Sequence, residues 1–280
     1  MILQNNLPID DFAGYSAFEM HQLLYDPFGT NSPLKLQELT DQEYDQMPML
    51  KMIKGLGEIL HAQGGLKLTA AGYLPVKVVT EFFSRDYLEY GIPEHDLNKP
   101  RKEADAFPVR LTRIIMELAG MTKIQKNKLT LTAKGIKLLA GQYKDMFRHV
   151  FHVFTTKFNW AYYGVVDDEK IGQMGYAFTI LLVSIYGLEK HSELFYAKIY
   201  FKAFPRLLDE LPSRILSKLE LGTIIYNQRV FSLFLRYFGL VKIFEVKYEI
   251  NRDQIIKTNL FDALFKRHPH RVFVSKDLKG

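Results

Sequence analysis

One carboxylate and two imidazoles recur at helical spacing in the middle of the chain and could bind a divalent metal ion. Asp145, His149 and His152 stand at positions i, i+4 and i+7, so a helix would place all three on one face. Their neighbours in the sequence are mostly phenylalanine and valine, and two histidines with one aspartate form a small ligand set. We therefore favour histidines on a helix surface or at a partner contact over a metal site, and we predict no cofactor.

Adjacent carboxylates raise the question of acid–base chemistry at two places. Asp10 and Asp11 form one run, and residues 167–169 form the other. Consecutive side chains do not converge on one reacting atom, as an acid–base pair must, so we expect solvated loops. The sequence also lacks the P-loop, nucleophile-elbow, zinc-protease and EF-hand patterns. It therefore predicts a protein that is not an enzyme.

Basic side chains form the arrangement that most strongly indicates a binding surface. They form two sets, each with arginines on the expected solvent face of a helix and lysines around the hairpin that follows it. The first set is Arg110, Arg113, Lys123, Lys126 and Lys128, and the second is Arg229, Arg236, Lys242 and Lys247. A helix in a groove, with the hairpin on the backbone, would bring arginines to base edges or phosphates and lysines to phosphates. Solvated helix faces are commonly charged, however, so a protein partner or self-association stays open as the alternative.

Charge is unevenly distributed along the 280 residues, and this asymmetry favours a polyanionic partner. The net charge is +6, but residues 1–47 carry −7 and residues 48–280 carry +13. There is no cysteine, which excludes disulfides, thiolate zinc sites and iron–sulfur clusters. The N-terminus does not resemble a signal peptide, and the longest apolar run, 176–188, is too short to span a bilayer. We expect a cytoplasmic protein with no membrane association.

Hydrophobic spacing predicts the elements that must position the basic residues. The first half shows the order helix, strand, helix, helix, hairpin and closing helix, with glycine or proline at most of the boundaries. This is the order of a winged-helix fold, in which the third helix is offered to a partner and the hairpin is the wing. The expected ranges are 48–63, 66–69, 75–83, 108–119, 121–132 and 134–140.

The second half repeats this ending. A helix, a hairpin of two strands and a further helix are predicted over 228–237, 240–244, 246–250 and 256–265. Between the repeats, aromatic helices are expected over 146–158, 178–186 and 195–211, the last kinked at Pro205. The predicted fold class is mainly α with small β hairpins: tandem winged-helix-like units joined by an aromatic-rich helical segment.

The expected domains follow from these patterns. They are an acidic N-terminal arm that packs on the body, a winged-helix-like domain, an aromatic segment with a second winged-helix-like unit, and a C-terminal tail. Their ranges are 1–47, 48–141, 142–270 and 271–280.

The segment GLKLTAAGYLPVKVV at 65–79, followed by LTLTAKG at 129–135, resembles the winged-helix modules that accompany a group of DNA repair helicases. In those modules an L-T-x-x-G-x-L-P-K-like turn joins a strand to a helix. Together with NLPIDDFAGYSAFEMHQLLYDPFG and TTKFNWAYYG, the sequence looks like a set of uncharacterised bacterial proteins, some of which carry a C-terminal zinc motif with cysteines. The resemblance implies the fold and a preference for nucleic acid. The helicase motor loop and the cysteines are absent.

Overall fold

The computed structural model describes residues 4–85, 87–88, 100–164, 166, 169–212, 215–246 and 253–270. These residues are mainly helical, with antiparallel sheets of two or three strands, which confirms the predicted mainly α fold class with small β elements. They divide into two units. We call Leu39–Phe158 the central unit, and the described parts of 1–38 and 159–280 the split unit. None of the helices in the described part of the chain has the length and apolar content needed to cross a membrane.

The N-terminal segment is an integral part of the split unit. Its elements are β1 (Pro8–Ile9), β2 (Tyr15–Ser16), α1 (Ala17–Tyr25) and β3 (Leu34–Leu36). Ser16 and Glu19 form a capping box, because each side chain accepts a hydrogen bond from the other residue's backbone N–H. Met20 and Leu23 are buried. The acidic segment 4–38 therefore contributes core side chains to this unit, whereas residues 39–47 belong to the central unit.

The central unit has the order helix, strand, helix, helix, hairpin, helix that the sequence predicted. Its elements are α2 (Asp41–Tyr44), α3 (Pro48–Ala62), β4 (Leu66–Lys67), α4 (Val76–Phe83), α5 (Phe107–Leu118), β5 (Thr122–Gln125), β6 (Lys128–Leu131), α6 (Ala133–Ala140) and α7 (Tyr143–Thr156). The strands form one antiparallel sheet in the order β4-β6-β5. Leu66 faces Leu129, which faces Ile124, and the two leucines are buried on the side that packs against α3.

Helix α7 also belongs to the central unit, although the sequence assigned residues from 142 onwards to the next domain. Phe147 on α7 packs against Tyr44 on α2, with ring centroids 5.2 Å apart. α7 also packs on α5 and α6. The aromatic residues of this helix are therefore core residues of the central unit rather than part of a linking segment.

The split unit repeats the order of elements found in the central unit. The repeat consists of α8 (Tyr176–Tyr186), β7 (His191–Ser192), α9 (Glu193–Ala203), α10 (Arg206–Asp209), α11 (Lys218–Tyr226), a π-helical segment (Asn227–Leu235), β8 (Val241–Phe244), β9 (Gln254–Lys257), α12 (Asn259–Leu264) and β10 (Phe265–Arg267). Its sheet has the order β7-β9-β8, and β10 pairs with β3. The aromatic helices expected between the repeats, 178–186 and 195–211, are thus the first two helices of the second repeat.

In both units, the same contacts close the helix before the hairpin and open the helix after it. Gly120 and Gly239 follow the helix before the hairpin and have left-handed φ angles of 66° and 69°, a conformation that favours glycine. Thr132 and Thr258 cap the helix after the hairpin, and their hydroxyl groups donate to the carbonyl oxygens of these glycines at 2.7 and 2.8 Å. The repetition is therefore one of hydrogen bonding as well as of element order.

Two expectations about the second hairpin were wrong. Its second strand is β9 at Gln254–Lys257, not 246–250, of which 247–250 lie outside the described residues. The last helix begins after Thr258 rather than at Ile256, because Ile255 is buried in the sheet and the Thr258 side chain provides the helix cap. In place of one helix over 195–211 kinked at Pro205, the structure has two helices, because α9 ends at Ala203 and α10 begins at Arg206. The expected C-terminal tail, 271–280, also lies outside the described residues.

Glu193, the first residue of α9, has a carboxyl group that the fold buries without a partner. The residue is 4% exposed, and its Oε2 has no hydrogen-bond partner among the described residues. Burial, assisted by the charge of Asp253, raises the pKa of Glu193 to about 8. The folded chain therefore holds a proton near neutral pH that the unfolded chain has already released.

We expect the Glu193→Gln variant to be more stable than the wild type at pH 8, by on the order of 3 kcal/mol. A raised carboxyl pKa means that wild-type stability decreases as the pH rises from about 5 to about 8, and the amide does not titrate. Melting temperatures at pH 5 and pH 8 measure the effect. The matched control is Glu189→Gln, because Glu189 is exposed. Equal pH dependence of wild type and Glu193→Gln would contradict the prediction.

Candidate nucleic-acid interface

The outer side of the central sheet carries lysines on neighbouring strands. Lys67 on β4 lies directly opposite Lys128 on β6, and Lys128 lies opposite Gln125 on β5. Lys123 and Thr130 form the next pair and point to the same side, because alternate residues of a strand share one face. All three lysines are exposed, as is Lys126 in the turn. We call this surface the basic face, and define it as Lys67, Lys123, Gln125, Lys126, Lys128 and Thr130.

The charges of the basic face do not contribute to the stability of the sheet. Like charges directly opposite each other on neighbouring strands are destabilising, and Lys67 and Lys128 stand in that relation. Within the described residues, none of the four lysine ammonium groups makes an ion pair or a hydrogen bond. An anionic ligand would supply the charge that the protein itself does not place there.

The turn between β5 and β6 holds one of these lysines in a conformation that lysine disfavours. Lys126 and Asn127 have φ angles of 50° and 57°, the two left-handed residues of a type I′ hairpin turn. The Asn127 side-chain amide donates to the Leu68 carbonyl oxygen at 3.0 Å, and the Leu68 N–H donates to the Asn127 carbonyl oxygen at 2.9 Å. The left-handed conformation costs a residue such as lysine about 1 kcal/mol. A lysine at this point is therefore better explained by its charge than by the turn.

Replacing Lys126 by asparagine should raise the free energy of unfolding by about 0.5–1 kcal/mol, because asparagine tolerates the left-handed conformation. Urea denaturation measures this change. Lys123→Asn is the matched control, since it removes the same charge from a β-strand residue and should bring no such gain. A Lys126→Asn variant that is less stable than the wild type would show that the turn does not strain this residue.

Arg113 does not lie on the solvent face of α5, and its predicted position there was wrong. Its side chain is 11% exposed. Nη1 donates to the Glu103 carboxylate at 2.8 Å and to the Gly72 carbonyl oxygen at 2.9 Å, while Nε donates to Glu117 at 2.7 Å. The Glu103 side chain is 2% exposed and also accepts the Leu74 N–H at 2.6 Å. The guanidinium group therefore neutralises a buried carboxylate and joins the turn at 72–74 to α5.

Arg113→Gln should lower the free energy of unfolding of the central unit by about 3–5 kcal/mol, because it leaves Glu103 charged and buried without its cation. The double variant Arg113→Gln/Glu103→Gln should regain part of this loss, since neither group is then charged. A double-mutant cycle by urea denaturation measures both changes. If the single variant is as stable as the wild type, the ion pair does not hold the turn in place.

Arg110, the other candidate on α5, is half-buried, one turn before Arg113. Towards the end of the helix, the other side chains that reach the surface are apolar or acidic. They are Ile114, Glu117 and Leu118. The outer side of α5 thus has much less positive charge than the sequence predicted.

The arginines expected at the interface of the split unit are also less exposed than predicted. Arg229 is 1% exposed, and its two terminal nitrogens donate to the carbonyl oxygens of Ile171 and Val166, each at 3.1 Å. Its predicted contact with nucleic acid was therefore wrong, because these carbonyl groups hold the guanidinium group inside the unit. Arg236 is half-buried and Lys242 is exposed. Lys247 lies outside the described residues.

Strand register aligns the two three-stranded sheets position by position. Leu66, Leu129 and Ile124 in the central sheet correspond to His191, Ile255 and Ile243 in the split unit. In the split unit, a serine, a glutamine and a phenylalanine stand where the central sheet has Lys67, Lys128 and Gln125. The counterpart of Lys123 is Lys242. The replacing residues are Ser192, Gln254 and Phe244. Of the three strand lysines of the basic face, one therefore has a lysine counterpart.

The candidate metal ligands lie on α7 but do not form a ligand set. His149 Nε2 lies 2.8 Å from the carbonyl oxygen of Ala119, at the end of α5, whereas His152 and Asp145 are exposed. Within the described residues, no three histidine, aspartate or glutamate side chains come together in a way that could hold a metal ion. His149 has a structural contact instead.

A groove between α3 and α6 is another surface feature of the central unit, and the sequence did not predict it. Its volume is about 240 Å³. Apolar side chains line most of it, with Lys54, Glu58 and His61 at the rim. The Lys54 ammonium group donates to the Tyr143 hydroxyl group and lies 3.8 Å from the centre of that ring. Because this cation already has protein partners, the groove is a weaker candidate for an anion site than the basic face.

Lys67 is the member of the basic face that sequence reasoning missed, along with the uncharged Gln125 and Thr130. The alternation of leucine, lysine and leucine at 66–68 indicates that Lys67 points away from the core. Its position opposite Lys128 depends on strands that are separated by about 60 residues of sequence, which local spacing does not reveal.

No family model, no curated protein and no solved structure matches this chain. The resemblance to winged-helix modules of DNA repair helicases therefore stays a prediction.

Proposed function

We propose that this chain is a non-catalytic nucleic-acid-binding protein whose contact surface is the basic face of the central unit. One observation carries the proposal: Lys67 and Lys128 lie opposite each other on neighbouring strands, both exposed. Lys123 and Lys126 extend the positive surface on the same hairpin. Nucleic-acid phosphates are anions that such lysines bind as point charges.

The order of elements supports assigning both units to the winged-helix type. Each has helix, strand, helix, helix and hairpin, with the first strand paired to the second strand of the hairpin. In such a module the hairpin is the wing and the third helix is the usual groove-binding element. Here the wing and its sheet carry the exposed lysines, whereas α5 holds Arg113 in a buried ion pair. The proposed contact therefore moves from the helix to the sheet.

We expect the double variant Lys67→Gln/Lys128→Gln to bind a fluorescently labelled duplex about tenfold more weakly than the wild type, or about 1.4 kcal/mol. Two ammonium groups that neutralise phosphates are then missing. Fluorescence anisotropy at low salt measures the affinity. Lys157→Gln/Lys198→Gln is the matched control, because it removes two exposed lysines that lie outside both sheets and should leave the affinity unchanged.

Two results would contradict this proposal. One is a wild-type chain that binds neither duplex nor single-stranded nucleic acid at low salt. The other is a Lys67→Gln/Lys128→Gln variant with unchanged affinity, which would place the contact elsewhere. Melting temperature serves as the folding control, and the variant should melt at or above the wild-type temperature because the repulsion between the two lysines is relieved.

The alternative function is binding of a protein partner or self-association, and a different surface supports it. On the outer side of the split-unit sheet, Phe244 is 40% exposed, and the Lys190 ammonium group lies 3.8 Å from the centre of its ring. An exposed aromatic residue with a cation is typical of protein contacts. This function, like the cytoplasmic location, stays a prediction.

A further inference from the structure

We infer that the basic face binds the sugar–phosphate backbone of duplex nucleic acid without reading its base sequence. This inference rests on the proposed function and specifies its substrate class. It depends on the side chains that α5 exposes and on the chemistry of the basic face.

Base readout by a winged-helix module requires a helix that projects donors and acceptors into a groove. On α5, the Arg113 guanidinium group is committed to Glu103, Glu117 and a backbone carbonyl oxygen. The Glu117 carboxylate, the partner of Arg113, lies partly exposed on the same helix. Leu118, at the end of the helix, is exposed and has no polar group. Beyond the half-buried Arg110, the surface of α5 therefore offers few of the side chains that distinguish one base pair from another.

The basic face has the chemistry of a backbone contact. A lysine ammonium group is a point charge on a flexible stem, suited to phosphates rather than to the bidentate recognition of bases. Neighbouring strands place their side chains about 4.8 Å apart, and alternate residues of one strand are about 6.6 Å apart. Lysines at these spacings, each on a flexible stem, can contact different phosphates of one duplex.

The same surface lacks the groups that favour single strands. Single-stranded nucleic acid is held by aromatic side chains on which successive bases stack. The six residues of the basic face include no aromatic side chain: four are lysines, and the others are Gln125 and Thr130. Charge without a stacking platform favours the duplex, whose phosphates form a regular array with the bases already stacked.

The test compares equilibrium binding of the whole chain to labelled 20-base-pair duplexes of AT-rich, GC-rich and mixed sequence, and to a single strand of equal length, between 50 and 300 mM salt. Four phosphate contacts predict a log–log salt slope of about −3.6 for the duplexes. We expect the duplex affinities to agree within about threefold and the single strand to bind at least about tenfold more weakly.

Variants assign this slope to the basic face. Lys67→Gln/Lys128→Gln should make the slope shallower by about two, equally for every duplex, because each lost phosphate contact removes about one unit. Lys157→Gln/Lys198→Gln should leave it unchanged. Arg110→Gln tests α5 directly, since a variant that weakens one duplex sequence much more than another would reveal base readout by this helix and overturn the inference.

The outcomes separate the inference from the function on which it rests. A preference of more than about tenfold among duplex sequences, or tighter binding of the single strand, overturns backbone-only recognition of duplexes while nucleic-acid binding stands. Absence of binding to every nucleic acid at 50 mM salt overturns the proposed function itself. Equal affinity for all duplexes, with the slope reduced only in the Lys67→Gln/Lys128→Gln variant, supports both.

Discussion

Burial of two leucines in the central sheet determines where its lysines lie. Leu66 and Leu129 face each other across β4 and β6 and are buried on the side that packs against α3. Because the side chains of a strand alternate with a period of two, Lys67 and Lys128 must then face outward, opposite each other. A register shift of one residue would bury the lysines and expose the leucines, which the hydrophobic effect opposes strongly. The basic face is thus a consequence of core packing.

The Arg113–Glu103 ion pair determines which other surface is left for binding. Glu103 is buried and must be neutralised, and Arg113 on α5 is the cation that reaches it. The same guanidinium group binds Glu117 and the carbonyl oxygen of Gly72, so most of its donors are used within the central unit. On an exposed helix this arginine would be able to contact bases, but here it stabilises the fold of the central unit. The sheet, rather than the helix, becomes the stronger candidate interface.

The two units share one topology but differ in what their sheets present. Their register matches, and in both units the threonine after the hairpin donates a hydrogen bond to the carbonyl oxygen of the glycine before it. Two of the three paired inner positions are apolar in both sheets, and histidine replaces leucine at the third. On the outer faces, serine and glutamine in the split unit replace two lysines of the central sheet, and phenylalanine replaces a glutamine. This difference is typical of two modules with separate roles.

The sequence by itself determined the local elements. Helical spacing and glycine stops predicted α3 and α5, because these signals act within one or two turns of helix. The mainly α class and the repeated ending, a helix, a hairpin and a further helix, followed from them. The second hairpin strand was misplaced because the strand and helix signals of the isoleucines at 255–256 are ambiguous over so short a run.

Only the tertiary structure decided which charges are available to a partner. Arg113 and Arg229 have the spacing of surface residues, but one is paired with a buried carboxylate and the other donates to buried carbonyl groups. Lys67 and Lys128 are far apart in sequence and adjacent across two strands. Burial and strand register depend on contacts between distant segments, whereas helical spacing and turn residues depend on near neighbours. The order of helix, strand, helix, helix and hairpin could therefore be predicted, but the position of the basic face could not.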